Sequence, residues 1–312
     1  MTISKAVFPA AGLGTRFLPV TKALPKELLP LVDTPLIQYG IEEAAQAGLN
    51  DIYIITGRGK GAIEDYFDTN MELESILSTR HALQLLETIK RISESINVAY
   101  LRQREAKGLG HAIWCARRQL VGEAFGVILA DDVIASEVPC IAQLLRVYEK
   151  VQAPVVALMR VAREESSSYG IIEGEPAEVP DIPQPVHRLK TLIEKPRPEN
   201  APSDLAVIGR YVLTPDVLCV LDAGQPGLGG EIQLTDALNV LAARQPVYGV
   251  CFSGKRYDAG SKLGFLKAAI EFGLRREDVG DGLRSYLLEL VQQLGAPARP
   301  AEDHKQAAGS TT

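Results

Sequence analysis

The chain has 312 residues, 46% hydrophobic and 23% charged, with 33 Lys and Arg against 39 Asp and Glu for a net charge of −6. That balance supports a sizeable core and argues against a broadly basic nucleic-acid-binding surface, so any anionic ligand has to be met by local clusters of positive groups. Cys115, Cys140, Cys219 and Cys251 form no CxxC pair, which speaks against a zinc site or a disulfide framework. With no apolar run of ~20 residues and no signal-peptide pattern at the start, the expectation is a cytoplasmic protein without a membrane span.

In chain order, KAVFPA is a short apolar strand pattern that runs straight into the loop AAGLGTRFLPVTKALPKELLP, residues 10–30. TPLIQYGIEEAAQAG follows with Ile37, Ile41, Ala44 and Ala45 on one helical face. Thr34 is placed to cap this helix, Pro35 to open it and Gly48 to close it. DIYIIT, residues 51–56, predicts a second strand, and strand, loop, helix, strand is the grammar of a parallel α/β sheet. Residues 71–96 interrupt it: Leu73, Ile76, Leu77, Leu86 and Ile89 recur at helical spacing among charges, predicting a helical insertion.

Beyond the insertion, INVAYLRQ predicts a strand, GHAIWCARRQL a helix and FGVILADDVI a strand closing on two aspartates. VPCIAQLLRVYEKV predicts a helix and PVVALMRV a strand, while four prolines between 174 and 185 predict a surface loop. Strands are expected at HRLKTLIEK and LAVIGRYVL, a helix over 261–276, and a C-terminal helix within 277–296 with an apolar stripe of Leu283, Leu287, Leu290 and Leu294. Residues 297–312 are polar and poor in bulky side chains, the composition of a disordered tail. The expected organisation is one domain, residues 1–296, plus that tail.

Four stretches carry candidate chemistry. In the first loop, Gly12 and Gly14 let backbone N–H groups approach a ligand and form an anion-binding nest. Arg16 and Lys26 add positive charge suited to phosphates; the plain alternative is a strand-to-turn connection with incidental surface charge. The loop lacks the GK[ST] of a Walker loop and the third glycine of GxGxxG. In RQREAKGLGHA, Gln103 offers an amide donor and acceptor that match the O4 and N3–H edge of uracil or thymine, with Gly108 and Gly110 beside it; a tight strand-to-helix turn is the plain alternative. VILADD places Asp131 and Asp132 at the carboxyl end of a strand, where open parallel sheets bind ligands, and Asp258 precedes a later helix. Mg2+ takes one or two carboxylates plus phosphate oxygens, but helix capping would explain the same aspartates. Glu194 and Lys195 end a strand in IEKP, and Glu231 opens a segment whose start favours a carboxylate.

Taken in order, AAGLGTR, PKELLPLVDTPLIQY, AKGLGHA, IEKP, AVIGRYVL, GGEIQLTDA and YDAGSKLG resemble the sugar nucleotidyltransferases over roughly residues 4–290. AKGLGHA and the last two runs are similar to the branch that uses UTP and glucose 1-phosphate. The resemblance implies a Rossmann-like nucleotide-diphospho-sugar transferase fold, with a central mixed, mostly parallel sheet and helices on both faces. It implies an Mg2+-dependent transfer of a uridylyl group from UTP to glucose 1-phosphate, giving UDP-glucose and pyrophosphate. By motif, Ala11, Gly12, Gly14, Gln103 and Gly108 would hold the nucleotide. Arg16, Lys26 and Lys195 would bind the phosphates, Asp131 and Asp258 the Mg2+, and Gly170, Glu194 and Glu231 the sugar. It also implies a homo-oligomer, dimer or tetramer. Three departures stand out: LADD in place of LPDD, which leaves open whether Asp131 or Asp132 is the ligand, YDAG in place of YDCG, and GGE in place of GDE at residues 229–231. A thymidylyl- or adenylyltransferase of the same fold, a nucleotide-sugar sensor and a dehydrogenase are the rival readings.

Overall fold

The computed structural model describes residues 3–295, apart from 95, 223, 225, 226, 228 and 229. The expected tail and Gly229 therefore lie outside the described residues. The strands are β1 (Lys5–Pro9), β2 (Pro30–Leu31), β3 (Thr34–Pro35), β4 (Asp51–Thr56), β5 (Asn97–Arg102), β6 (Phe125–Ile128), β7 (Asp132–Ala135), β8 (Val155–Arg160), β9 (Gly170–Ala177), β10 (Val186–Glu194), β11 (Leu205–Leu213), β12 (Tyr248–Cys251) and β13 (Lys255–Asp258). The α-helices are α1 (Leu36–Gln46), α2 (Gly61–Phe67), α3 (Met71–Thr79), α4 (Leu83–Glu94), α5 (Leu109–Cys115), α6 (Cys140–Val151), α7 (Asp216–Asp222), α8 (Leu234–Ala242), α9 (Lys262–Leu274) and α10 (Gly280–Gly295).

Nine strands form one sheet in the order β5-β4-β1-β6-β11-β8-β12-β10-β9. β5, β4, β1 and β6 run parallel, as the opening grammar predicts. The rest makes the sheet mixed, as the resemblance implies: β12 is parallel to β8, while β11 is antiparallel to β6 and β8, and β10 is antiparallel to β12 and β9. β9 and β10 are joined by the proline-rich segment as a hairpin, which makes that one pairing necessarily antiparallel.

Alternation along the strands feeds two cores, as a sheet covered on both faces requires. Val7 faces α5, α7 and α8 through Ile113, Leu218 and Leu238. Its neighbours Ala6 and Phe8 face α1, α2 and α6 through Ile37, Ile63 and Leu144. All four cysteines are free thiols, and among the described residues no helix is long and apolar enough to cross a membrane.

Three boundaries differ from the sequence reading. Thr34 and Pro35 do not begin a helix: they pair with Leu31 and Pro30 in a two-stranded ribbon, and α1 starts at Leu36 with no side-chain cap. The strand expected to run through both aspartates stops at Ile128, and Asp132 opens β7. The proline-rich loop begins only after Ala177, because Pro176 is tolerated in an outer strand that pairs through His187.

The chain divides into a unit Met1–Ala268 and a second unit from Ala269. The first holds the sheet and every candidate residue. In the second, α10 leaves Tyr286, Leu288, Val291 and Leu294 exposed.

Candidate active site

β7 and β13 build the centre of the site. They pair antiparallel with Asp132 opposite Asp258, and the Ala259 N–H donates to the Asp131 carbonyl at 2.9 Å. This ribbon brings two segments far apart in sequence to one point, Gly260. A Cβ built there would lie 2.8 Å from Asp131 Oδ2, 3.1 Å from Asp258 Oδ1 and 3.4 Å from Arg16 Nη1. Two carboxylates and a guanidinium thus flank a gap that only glycine leaves open.

The adjacent aspartates have different fates. Facing carboxylates repel across a ribbon, and Arg256, two residues before Asp258 on β13, sits between them. Its Nε donates to Asp132 Oδ1 at 2.7 Å, and its Nη2 also pairs with Asp132 while lying 3.9 Å from Asp258. The Gly209 N–H donates to Asp132 Oδ2 at 2.8 Å. Asp132 is buried, and its two oxygens are engaged by protein donors. Asp131 instead faces Lys26, whose Nζ lies 2.6 Å from Oδ2, and its side chain keeps 27% exposure.

Burial works against charge on both members of that pair. The mutual attraction outweighs it, holding the Asp131 carboxyl below and the Lys26 ammonium above their ordinary values, with Glu27 reinforcing Lys26. Glu27 is itself buried against Lys60 at 2.6 Å.

The glycine loop supplies the wall. Gly14 adopts a left-handed conformation (φ 65°), accepts from Thr21 Oγ1 at 2.8 Å, and would bring a Cβ within 3.1 Å of Lys26 Cβ. Arg16 follows in a short 3-10 turn, Thr15–Phe17, and its Nη1 donates to the Gly260 carbonyl at 3.2 Å. Ala11 is buried, with its carbonyl 3.0 Å from where a Cβ on Gly57 would stand.

A cavity of about 500 Å3 joins Arg16, Asp131 and Asp258 to Gly170, Glu194 and Lys195. Glu194 is oriented by Thr235, whose Oγ1 donates to Oε2 at 2.6 Å, and that oxygen lies 3.3 Å from the position of a Gly170 Cβ. Lys195 takes a left-handed backbone (φ 47°), sparsely populated for a non-glycine residue. Its Nζ stands 3.4 Å from Glu194 Oε1.

Gln103 and Gly108 do not line that cavity. They form a separate cluster beside it, in which the buried Gln103 donates from Nε2 to the Gly108 carbonyl at 3.1 Å. Glu231 belongs to this cluster and does not line the cavity: it packs where a Gly108 Cβ would be and accepts from Gln233. Sequence reasoning missed Arg256, Thr235 and Gly260. For Arg256 a signal existed, since residues two apart on a strand share a face.

The nucleotidyl transferase family profile matches residues 5–273. A UTP–glucose-1-phosphate uridylyltransferase of Bacillus subtilis is 46% identical over 291 residues, covering 93% of this chain and 98% of that protein. A crystal structure of UDP-glucose pyrophosphorylase complexed with UDP-glucose superposes with a TM-score of 0.81 at 45% identity, covering 88% of this chain and 100% of that one. A UTP-bound UGPase from Acinetobacter baumannii gives 0.83 at 37% identity, covering 93% and 100%.

Proposed function

The chain belongs to the nucleotidyl transferase family, and from that premise we propose that it transfers a uridylyl group from UTP to glucose 1-phosphate. A phosphate oxygen of glucose 1-phosphate attacks the α-phosphorus of UTP. The bond from that phosphorus to the bridging oxygen breaks, and pyrophosphate leaves with the electron pair. The attacking monoester is already anionic at neutral pH, so the chain has to supply orientation and charge rather than a general base.

Arg16 and Lys26 neutralise the triphosphate, Arg16 toward the departing pyrophosphate, and Lys195 holds the sugar phosphate. Each such fixed cation is worth about 2.7–4 kcal/mol of barrier, by analogy with an oxyanion donor. The nucleotide rests on the backbone of Ala11, Gly12 and Gly14, with its base at Gln103 and Gly108. Glucose hydroxyls donate to Glu194 beside Gly170.

The residues fit a divalent cation. Asp131 and Asp258 present hard oxygens around the gap at Gly260, the donor type Mg2+ prefers. Among the described residues no group of three or more His, Cys, Asp or Glu could hold a metal, so its remaining ligands have to come from phosphates and water. Bound there, Mg2+ would supply charge neutralisation on the phosphates. The engagement of Asp132 by Arg256 and Gly209 favours Asp131 as the ligand.

The observation that carries this reading is the convergence of Arg16, Asp131 and Asp258 on Gly260, with Lys26 paired to Asp131, in a chain so similar to UTP-using relatives. The test is pyrophosphate release with glucose 1-phosphate and UTP, dTTP, ATP or GTP, each with Mg2+ and with chelator. A UTP preference abolished by chelator is expected; preference for dTTP moves the chain to the thymidylyl branch, and no turnover with any of the four overturns the reading. We place this activity in residues 1–296 and in the cytoplasm, in a dimer or tetramer for which the exposed apolar side chains of α10 are candidate contacts.

A further inference from the structure

The base-recognition cluster holds one side chain that the reaction itself does not use. Gln103 is 6% exposed, and its own N–H donates to the Thr56 carbonyl at 2.9 Å. Its Nε2 faces two groups at once, the Gly108 carbonyl at 3.1 Å and His111 Nδ1 at 2.9 Å. A carbonyl only accepts, so the amide nitrogen has to face Gly108. The second amide proton then goes to Nδ1, which accepts only while the ring is neutral with its proton on Nε2.

Both acceptors are held in place. Gly108 has φ 96°, and a Cβ there would meet Glu231 Cβ at 2.8 Å and the Ile232 carbonyl at 2.9 Å. The Ile232 N–H donates to the Lys107 carbonyl, and the Gly110 N–H donates to the Ile232 carbonyl, at 2.8 and 2.9 Å. His111 stacks on Trp114 with ring centroids 5.7 Å apart. That indole donates to Asp222 at 2.8 Å and lies 3.5 Å from the Arg117 guanidinium.

We propose that His111 is a positioning residue for base selectivity, fixing the Gln103 amide so that Oε1, an acceptor, meets N3 of the base. The inference rests on the reading of Gln103 as the base-recognising side chain. Uracil carries a proton on N3 and donates it to Oε1. Cytosine carries a lone pair on N3, so two acceptors would face each other and CTP is rejected. Thymine shares the uracil edge, so this device separates U from C and is blind to T.

The neutral ring is built into the setting. Burial first, then Lys107 and Arg117, push the imidazole below its ordinary pKa, against the pull of Glu105. Arg102 and Arg104, at and just beyond the end of β5, line a second cavity together with His111 and Trp114. Glu231, against Gly108, and Asp222, on α7, are the further charges in the cluster.

The test compares kcat/KM for UTP, CTP and dTTP, with glucose 1-phosphate and Mg2+, in the full-length protein and three variants. His111→Phe keeps the stacking and removes the acceptor, so the UTP/CTP ratio should fall about three- to tenfold, the range of one lost neutral hydrogen bond, with UTP/dTTP within twofold of wild type. His111→Asn can present a carbonyl oxygen to Nε2 and should recover part of the ratio. Gln103→Leu, which removes the reader itself, should collapse UTP/CTP. If Gln103→Leu collapses the ratio while His111→Phe leaves it within twofold, the role of His111 is wrong and the base reading stands. If Gln103→Leu leaves it unchanged, the base reading fails and takes the inference with it.

A wild-type pH series keeps the idea falsifiable should the variants not fold. The UTP/CTP ratio should be flat around neutrality and fall as acid protonates Nδ1, below the ordinary imidazole range but where cytosine is still neutral. Titration of the triphosphate cancels in the ratio. A ratio constant through that range overturns the proposal.

Discussion

The two ends of the cavity that we assign to phosphate and to sugar, here the phosphate corner and the sugar corner, are built in opposite ways. At the phosphate corner, Arg16, Asp131 and Asp258 come from three separate stretches of chain and meet at Gly260, with Lys26 joined to them through its ion pair with Asp131. At the sugar corner, Gly170, Glu194 and Lys195 belong to the β9–β10 hairpin and its exit, and one neutral hydroxyl, Thr235, orients the carboxylate. Charge on a transferring phosphoryl group has to be met by groups already in place, because moving them during the reaction would cost the stabilisation they provide. Hydroxyls ask only for well-aimed acceptors, which a hairpin supplies locally. Substitutions at the first corner should therefore act on turnover and those at the second on sugar affinity.

The largest effect is expected at Asp131. Asp131→Asn should lower kcat by about 10^2–10^3 or more with only a modest fall in thermal stability, because Lys26 loses its main partner but keeps partial exposure and Glu27 beside it. Asp132→Ala is the contrast: it leaves Arg256 buried without its main partner, at a cost of about 3–5 kcal/mol of stability, which thermal unfolding would read as a marked fall in Tm. If Asp132→Ala keeps the Tm and loses Mg2+ dependence while Asp131→Asn stays active, the two roles are reversed. Next in size is Lys26→Met, expected to cost about 10^2 in kcat/KM for UTP with the KM for glucose 1-phosphate little changed. A rise in that KM alone would put Lys26 at the wrong corner.

How far each corner is legible from sequence follows from how it is built. Strand, loop, helix and strand at the start could be read from periodicity, and the sheet half they form is the parallel half. β9 and β13 could not: one carries a proline inside an outer strand and the other, KRYD, is too short and charged to show alternation. Motif resemblance favours Asp131 as the ligand but leaves Asp132 open. Their difference is set by Arg256, which reaches Asp132 only once β13 has paired with β7. The same pairing creates the gap at Gly260, so tertiary structure defines the donor set that the sequence only hints at. Glu231 is the converse case: a residue placed at the sugar by resemblance lies against Gly108, because Ile232 is tied by hydrogen bonds to the loop around Gly108.

Lys195 gives an intermediate effect and joins the corners. Lys195→Ala should raise the KM for glucose 1-phosphate about tenfold, the scale of one charge-assisted hydrogen bond, with the KM for UTP within twofold. Because the side chain is 48% exposed, added salt should weaken wild-type affinity for glucose 1-phosphate through screening, and should weaken the variant's less. Equal rises in both KM values would assign Lys195 to general charge balance instead.

The smallest effect tests the sugar corner most cleanly. Thr235 contributes a single hydroxyl, donated to Glu194 Oε2 at 2.6 Å, and Thr235→Val replaces it with a methyl of similar shape. A Glu194 that is merely a solvated turn residue would find water in place of the hydroxyl, and the kinetics would not change. A Glu194 that accepts from glucose hydroxyls would lose its aim, since its other oxygen faces Lys195 at 3.4 Å and the freed carboxylate would swing toward that ammonium. The KM for glucose 1-phosphate should then rise about three- to tenfold, the range of one neutral hydrogen bond, with kcat and the KM for UTP unchanged. An altered kcat would mean that orientation at the sugar is felt at the phosphorus, and the two corners would have to be treated as one device.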